Sequence, residues 1–248
     1  MRSGGHRRPQ RTQVGGGPTV IYGWHSALAA LKNPRRHIHR ILATENALAR
    51  VAELGVENLP PPVDAREIEQ AAGAKAVHQG IAVVCEPLPA PDITDLGDAL
   101  IVVVLDQVTD PHNVGAVIRS AAAFGADAVI LTERHGPADS GVLAKAASGG
   151  LEHVALVRVK NLARALDALA GMGFERIGLD SACDERLESL SFGERTAIVL
   201  GGEGKGLRRL TREKCDRLAR LDVPGPIASL NVSNAAALVL YVVTRRPA

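Results

Sequence analysis

Residues 100–105, Leu-Ile-Val-Val-Val-Leu, are apolar at every position. A strand with one wet face alternates apolar and polar side chains, whereas an unbroken apolar run is covered on both faces, as in parallel sheets. Parallel neighbours need long crossover connections, usually helices. The chain supplies them: from residue 100 onward the pattern runs strand, loop, helix, repeated. Strands are expected at 100–105, 128–131, 154–159, 176–179, 197–200 and 221–223, and helices at 113–124, 141–147, 162–169 and 211–218. This alternation gives an α/β fold with a parallel sheet. Hydrophobic residues make up 46% of the chain but aromatics only 2%, so the core is built from Ala, Val, Leu and Ile.

The C-terminal run 224–243 divides into two halves. Its first half is rich in Pro, Gly, Ser and Asn, the residues of a shaped loop and an N-cap. Its second half is almost wholly apolar and predicts a helix buried on most sides. Burying Ser229, Asn231, Ser233 and Asn234 at the head of that helix would cost energy unless each finds a partner. A structural cap accounts for one or two of them, and a ligand held at the loop accounts for the rest.

Residues 19–89 read as a smaller α/β unit. Strands are expected at 19–22, 38–42 and 81–85, with helices at 25–31 and 46–54; residues 63–72 read as a strand edge and then a helix. The stretch 34–40, Pro-Arg-Arg-His-Ile-His-Arg, is either a phosphate patch or a solvated turn. Residues 90–98 open with a Pro-rich linker, so the divisions are 1–18, 19–89, 90–98 and 99–248. Residues 1–18 carry four arginines and no acid. They are expected to be disordered, as an inert tail or a weak attractor of phosphates.

Several classes are disfavoured. A net charge of +2 is too mild to name a polyanion partner by itself. Cys85, Cys183 and Cys215 are odd in number and form no CxxC pair, so neither a zinc site nor a disulfide framework is indicated. The basic N-terminus lacks an apolar region after it, and no run is long enough to span a bilayer. A soluble cytoplasmic protein is expected.

Three loops follow apolar strands, where ligands collect in parallel sheets. The first, 106–119, contains Asn113, a plausible N-cap, and Arg119, a cation inside an apolar helix that needs a partner or a ligand. His112 reads as shaping this loop rather than as a general base. The second, 201–206, is Gly-Gly-Glu-Gly-Lys-Gly. It has neither GxGxxG spacing nor the P-loop pattern, so dinucleotide and P-loop readings fail. Its glycines still allow backbone to approach a ligand closely. The third is 224–235. Lys205, Arg208 and Arg209 either grip phosphates or form a solvated face.

Together, Asn113-Val-Gly-Ala-Val-Ile-Arg119, Leu200-Gly-Gly-Glu-Gly-Lys-Gly206 and Ser229-Leu-Asn-Val-Ser-Asn-Ala235 resemble the SpoU/TrmH class of SPOUT methyltransferases, in family order. The resemblance spans residues 20 to 246. It implies methyl transfer from S-adenosylmethionine to a ribose 2′-hydroxyl of RNA. It further implies a C-terminal trefoil knot and a homodimer with its site near the interface. Carried over by motif position, Arg119 is the proposed catalytic residue, with Asn113, Glu203, Ser229 and Asn231 around it. Gly201, Gly202, Leu221, Ile227 and Leu230 hold the cofactor. Residues 20–89 resemble the family's RNA-binding domain, and with Tyr22-Gly-Trp-His25 they point to the branch that modifies a guanosine of 23S rRNA. A tRNA enzyme and a catalytically silent assembly factor are the alternatives. Arg119 is either the base or the anchor of the adjacent phosphate. The reaction calls for in-line positioning and no metal.

Overall fold

The computed structural model describes residues 17–134, 136–202, 204, 206–226 and 229–245. Most of the basic tail, together with Glu203, Lys205 and Ile227, lies outside the described residues. Two sheets organise the rest. The smaller is formed by β1 (Thr19–Tyr22), β2 (Ile38–Ala43) and β3 (Ile81–Cys85), in the order β1-β3-β2 and antiparallel at both pairings. Helices α1 (Trp24–Lys32), α2 (Glu45–Glu53) and α3 (Ala65–Ala72) accompany it. The strand edge expected before α3 is absent; Asp64 instead caps α3 by accepting from the Arg66 N–H.

The larger sheet is parallel at every pairing and has six strands. These are β4 (Ile101–Asp106), β5 (Ala128–Thr132), β6 (Ala155–Val159), β7 (Glu175–Leu179), β8 (Thr196–Gly201) and β9 (Arg217–Ala219), in the order β6-β5-β4-β8-β7-β9. The expected helix 211–218 and strand 221–223 are corrected here. The helix α7 is short, Arg209–Glu213, and the strand follows it at once as β9. Lys214 closes α7, and Arg217-Leu-Ala219 pairs with β7. Apolar content alone had assigned Leu218 to the helix and Leu221 to the strand.

Both faces of this sheet are covered, as the unbroken apolar strands require. Val103, Leu105, Val129, Leu131, Ile198 and Leu200 face one core with α4 (Pro111–Ala123), α5 (Gly141–Ala147) and α8 (Val232–Thr244). Val102, Val104, Ala128, Ile130, Ala197 and Val199 alternate with them. They face a second core with α6 (Leu162–Gly171) and Phe174. The period of two along each strand sorts the side chains between the layers.

The smaller sheet rests on α5. Its core takes in Ala144 of that helix, and the Ser26 hydroxyl donates to the Ala144 carbonyl at 2.9 Å. Gly141 has no room for a side chain, since a Cβ there would lie 2.5 Å from both Tyr22 Cε1 and the Val20 carbonyl. Glu152 is buried at the same seam. It accepts from Asn33 at 2.6 Å and from Arg36 Nη2 at 2.7 Å. Much of the basic turn is thereby committed to structure: Arg36 to Glu152, Arg40 to Glu67, and Arg35 to the Glu152 carbonyl. As a unit it is not a free phosphate patch.

Candidate active site

Parallel strands end on one side of a sheet, and their following loops gather there. The loops after β7, β8 and β9 and the entry to α8 enclose a cavity of about 550 Å3. That volume lies in the range of small-molecule sites. Leu179, Leu200, Leu221, Val223 and Leu230 supply apolar wall, and Gly201, Gly202, Ser229 and Asn231 supply backbone and polar rim.

The glycine loop is held by a clamp that sequence reasoning missed. Asp106 ends β4 fully buried, and it accepts from the Arg208 backbone N–H at 3.0 Å and from Arg208 Nε at 2.7 Å. A carboxylate after six apolar residues was the available signal. Arg208 is therefore occupied by Asp106, and Arg209 pairs with Glu213 on its own helix. Inside the loop the Gly206 N–H donates to the Gly202 carbonyl at 3.1 Å. Gly201 packs so closely on Gly206 that a Cβ would stand 2.1 Å from the Gly206 carbonyl carbon. Gly202 lies against the Gln107 carbonyl, 2.6 Å from where its Cβ would be. Gln107 itself takes a positive φ of 59°, so the turn from β4 toward α4 is tightly shaped.

Asn113 is not the N-cap of α4. Pro111 occupies the first turn, where it forfeits no helical hydrogen bond, and Asp110 caps by accepting from the His112 N–H. Asn113 thus sits in the first turn, where its Oδ1 accepts from Asn231 Nδ2 at 3.1 Å. His112 is exposed at the helix start. Asn231 caps α8, accepting from the Ser233 N–H at 2.8 Å.

Two expectations fail at α8 and α4. The head of α8 is not buried, because Ser229, Asn231 and Asn234 are exposed. The body of the helix is covered on most sides, as expected, and leaves one exposed stripe. Its exposed positions continue through Leu238, 48% accessible, and Tyr241, 44%, at helical spacing from Asn234. Arg119 is likewise exposed and does not line the cavity of its own chain. The apolar residues of α4 point into the sheet, and Arg119 falls on the opposite side of the helix. Periodicity over the full helix would have placed it there.

The structure therefore brings Gly201, Gly202, Leu221, Ser229, Leu230 and Asn231 to one cavity, and Asn113 to its edge through Asn231. It leaves Arg119 outside, and Glu203 and Ile227 are not among the described residues.

The chain resembles known proteins over most of its length. The SpoU rRNA Methylase family model matches residues 100–241, and the model for RNA 2′-O ribose methyltransferase substrate binding matches residues 20–91. The chain is 35% identical over 237 residues to the 23S rRNA (guanosine-2′-O-)-methyltransferase RlmB of Pseudomonas putida, covering 91% of this chain and 96% of that one. It is 30% identical over 239 residues to a TrmH family tRNA/rRNA methyltransferase, YacO, of Bacillus subtilis, covering 91% and 95%. The crystal structure of the SpoU methyltransferase AviRb from Streptomyces viridochromogenes, in complex with the cofactor AdoMet, superposes with a TM-score of 0.77 at 23% identity, over 92% of this chain and 90% of that one. An AdoMet-bound rRNA methyltransferase from Sinorhizobium meliloti gives a TM-score of 0.74 at 20% identity, over 92% and 87%. The chain belongs to the SpoU rRNA methylase family.

Proposed function

We propose that this chain transfers a methyl group from S-adenosylmethionine to the ribose 2′-hydroxyl of a guanosine in 23S rRNA. The observation that carries this reading is the cavity walled by Gly201 and Gly202 and rimmed by Ser229, Leu230 and Asn231. Its residues suit the cofactor. The two glycines let the loop close tightly on Gly206 and Gln107 while lining the cavity, and Leu179, Leu221 and Leu230 offer an apolar surface for an adenine ring. When bound, S-adenosylmethionine supplies an electrophilic methyl on a positively charged sulfur. The chain supplies position: the cavity walls exclude water from one side, and the Asn113–Asn231 bond fixes the entry of α8.

Arg119 is assigned to the RNA side. An exposed guanidinium presents a planar fork of N–H donors, so it serves better as a phosphate anchor that orients the ribose than as the base. It reaches a cavity through a second copy of the chain. The exposed stripe Asn234, Leu238 and Tyr241 on α8 packs beside α4, where Phe124 stacks edge-on to Tyr241 with ring centroids 6.3 Å apart. Covering that stripe in a homodimer would place Arg119 of one protomer near the cavity of its partner. Ser229 and Asn231 complete the catalytic group; the catalytic role carried to Glu203 and the cofactor-binding role carried to Ile227 by the resemblance fall on residues outside the described ones. We assign RNA binding to residues 19–89, catalysis to 99–248, and a cytoplasmic setting where rRNA is made. The threading of α8 through the preceding loops as a trefoil knot belongs to the same proposal.

Primer extension on 23S rRNA from cells with and without the protein tests the reading. One stop that is lost with the protein, and restored by it in vitro with S-adenosylmethionine, is expected. Transfer to tRNA alone, or failure to bind S-adenosylhomocysteine, would overturn it.

A further inference from the structure

His37, His39 and Glu86 converge on the rim of the smaller sheet. The β2–β3 register passes from Ile38 opposite Cys85 to Arg40 opposite Val84, so His39 is the extra residue of a bulge. The Glu86 N–H donates to the His37 carbonyl at 3.0 Å, which sets Glu86 directly across from His37. The two rings meet edge to face with centroids 4.8 Å apart. Each turns a nitrogen to the same carboxylate oxygen: His37 Nδ1 stands 3.7 Å and His39 Nε2 3.5 Å from Glu86 Oε1. One donor atom from each side chain lies within 4.8 Å of the other two.

Two ordinary explanations fit poorly. A phosphate-binding patch would not place a carboxylate at its centre, and the flanking Arg36 and Arg40 are paired with Glu152 and Glu67. A simple ion pair between groups this exposed contributes little. It also gives no reason for two rings to crowd one oxygen, since two imidazolium ions so close would repel.

We propose that His37, His39 and Glu86 bind a divalent transition-metal ion of the zinc class. Two neutral imidazoles and a carboxylate suit Zn2+ or Co2+, whereas Mg2+ and Ca2+ favour all-oxygen shells. Zinc–nitrogen bonds of about 2.0–2.1 Å require the donors to close by a fraction of an ångström to about an ångström, a small rotation for exposed side chains. Further coordination positions stay open to water. None of the three ligands lines the methyl-transfer cavity, so the ion takes no part in the chemistry there. Its place is mechanical. Glu86 is the first residue after β3, where the chain enters the linker, and its carbonyl accepts from Arg36 Nη1 at 3.0 Å. Arg36 in turn holds the buried Glu152. The ion would brace the point at which the linker leaves the smaller sheet.

The test is calorimetric titration of the full-length protein with zinc chloride at neutral pH, paired with visible spectra of Co2+. One strong site per chain is expected, with d–d bands at one equivalent of Co2+. His39→Ala and Glu86→Gln should each weaken binding at least tenfold, while His153→Ala, at an exposed histidine elsewhere, changes nothing. Affinity for S-adenosylhomocysteine should be the same with and without zinc. Equal zinc uptake by the wild type and a His37→Ala/His39→Ala variant would overturn the proposal. So would the absence of Co2+ bands in the wild type, a readout that needs no variant to fold.

Discussion

The side-chain amide of Asn231 donates to the side-chain oxygen of Asn113 at 3.1 Å, joining the first turn of α4 to the cap of α8. Asn231 Oδ1 meanwhile accepts from the Ser233 N–H at 2.8 Å and the Ser233 hydroxyl at 2.6 Å. One side chain thus does two separable jobs. Asn231→Ala removes both and should cost about 1 kcal/mol of stability, the usual value of a cap. Affinity for S-adenosylhomocysteine should fall several-fold, because residues 229–231 line the cavity. Asn231→Asp keeps the capping oxygen and loses the donor. Thermal melts should then recover while calorimetric affinity for S-adenosylhomocysteine stays reduced. Recovery of both would reduce Asn231 to a cap.

Arg119→Ala should change the stability by no more than about 0.5 kcal/mol, read from thermal melts, as expected for an exposed side chain. S-adenosylhomocysteine binding should be unchanged, since Arg119 does not line its own chain's cavity. Methyl transfer to RNA should fall by orders of magnitude. If the residue anchors phosphate mainly through its charge, Arg119→Lys should retain part of the activity; complete loss in both variants would mean that the planar guanidinium itself is needed.

The contrast between Arg119 and Gly201 shows what could be read from sequence. The strands β4 and β8 were legible because apolar runs have no other stable environment, and the loops after them follow from parallel pairing. Gly201 and Gly202 therefore line a cavity at the strand ends, as a loop after a parallel strand is expected to do. Arg119 was misjudged because its neighbours are apolar, although a helix turns adjacent residues to different sides. Leu218 and Leu221 were misassigned since a short apolar stretch does not distinguish helix from strand. The pairings Asp106–Arg208 and Arg36–Glu152 were not legible, although Asp106 stood out at the end of its apolar run: each joins positions roughly 100 residues apart, and no local pattern records the partner.

That second pair makes its own prediction. Both side chains are 4% accessible, and Glu152 also accepts from Asn33. Arg36→Ala leaves a buried carboxylate without its counter-charge, a change that costs about 3–5 kcal/mol. The melting midpoint should drop well beyond that of Arg40→Ala, whose partner Glu67 lies at the surface. A matched replacement, Arg36→Met with Glu152→Leu, should recover much of the loss. Equal melting of the two arginine variants would show that the seam contributes nothing to folding.

The thiols should separate by reactivity. Burial pushes the Cys215 thiol up to about 12, and burial also raises that of Cys85. Only the thiolate attacks an alkylating agent, so at pH 8 both should resist iodoacetamide. Cys183, partly exposed, should label first in mass-spectrometric peptide maps. The sign for stability follows. A thiol whose folded value is raised favours the folded state fully below its unfolded value near 9, and that contribution fades as pH climbs toward 12. Early labelling of Cys215 at pH 8 would mean that the β7–β9 region opens readily.

Three glycines of the site loop should respond to alanine by three different mechanisms. At Gly201 the new methyl would stand 2.1 Å from the Gly206 carbonyl carbon and 2.5 Å from the Leu207 nitrogen, both backbone atoms. The loop cannot keep its shape, so Gly201→Ala should lose S-adenosylhomocysteine binding by at least tenfold while circular dichroism of the sheet persists. At Gly202 the methyl would meet the Gln107 carbonyl at 2.6 Å, which pushes apart the loops after β4 and β8. Binding should weaken there as well, together with stability. Gly204 has open space around it but a φ of +77°. Gly204→Ala should therefore cost only the roughly 1–2 kcal/mol of a left-handed backbone and spare much of the binding. Calorimetry with S-adenosylhomocysteine across the series reads the order directly. If Gly204→Ala proved as damaging as Gly201→Ala, backbone strain rather than the close approach of Gly201 to Gly206 would be what shapes the cavity.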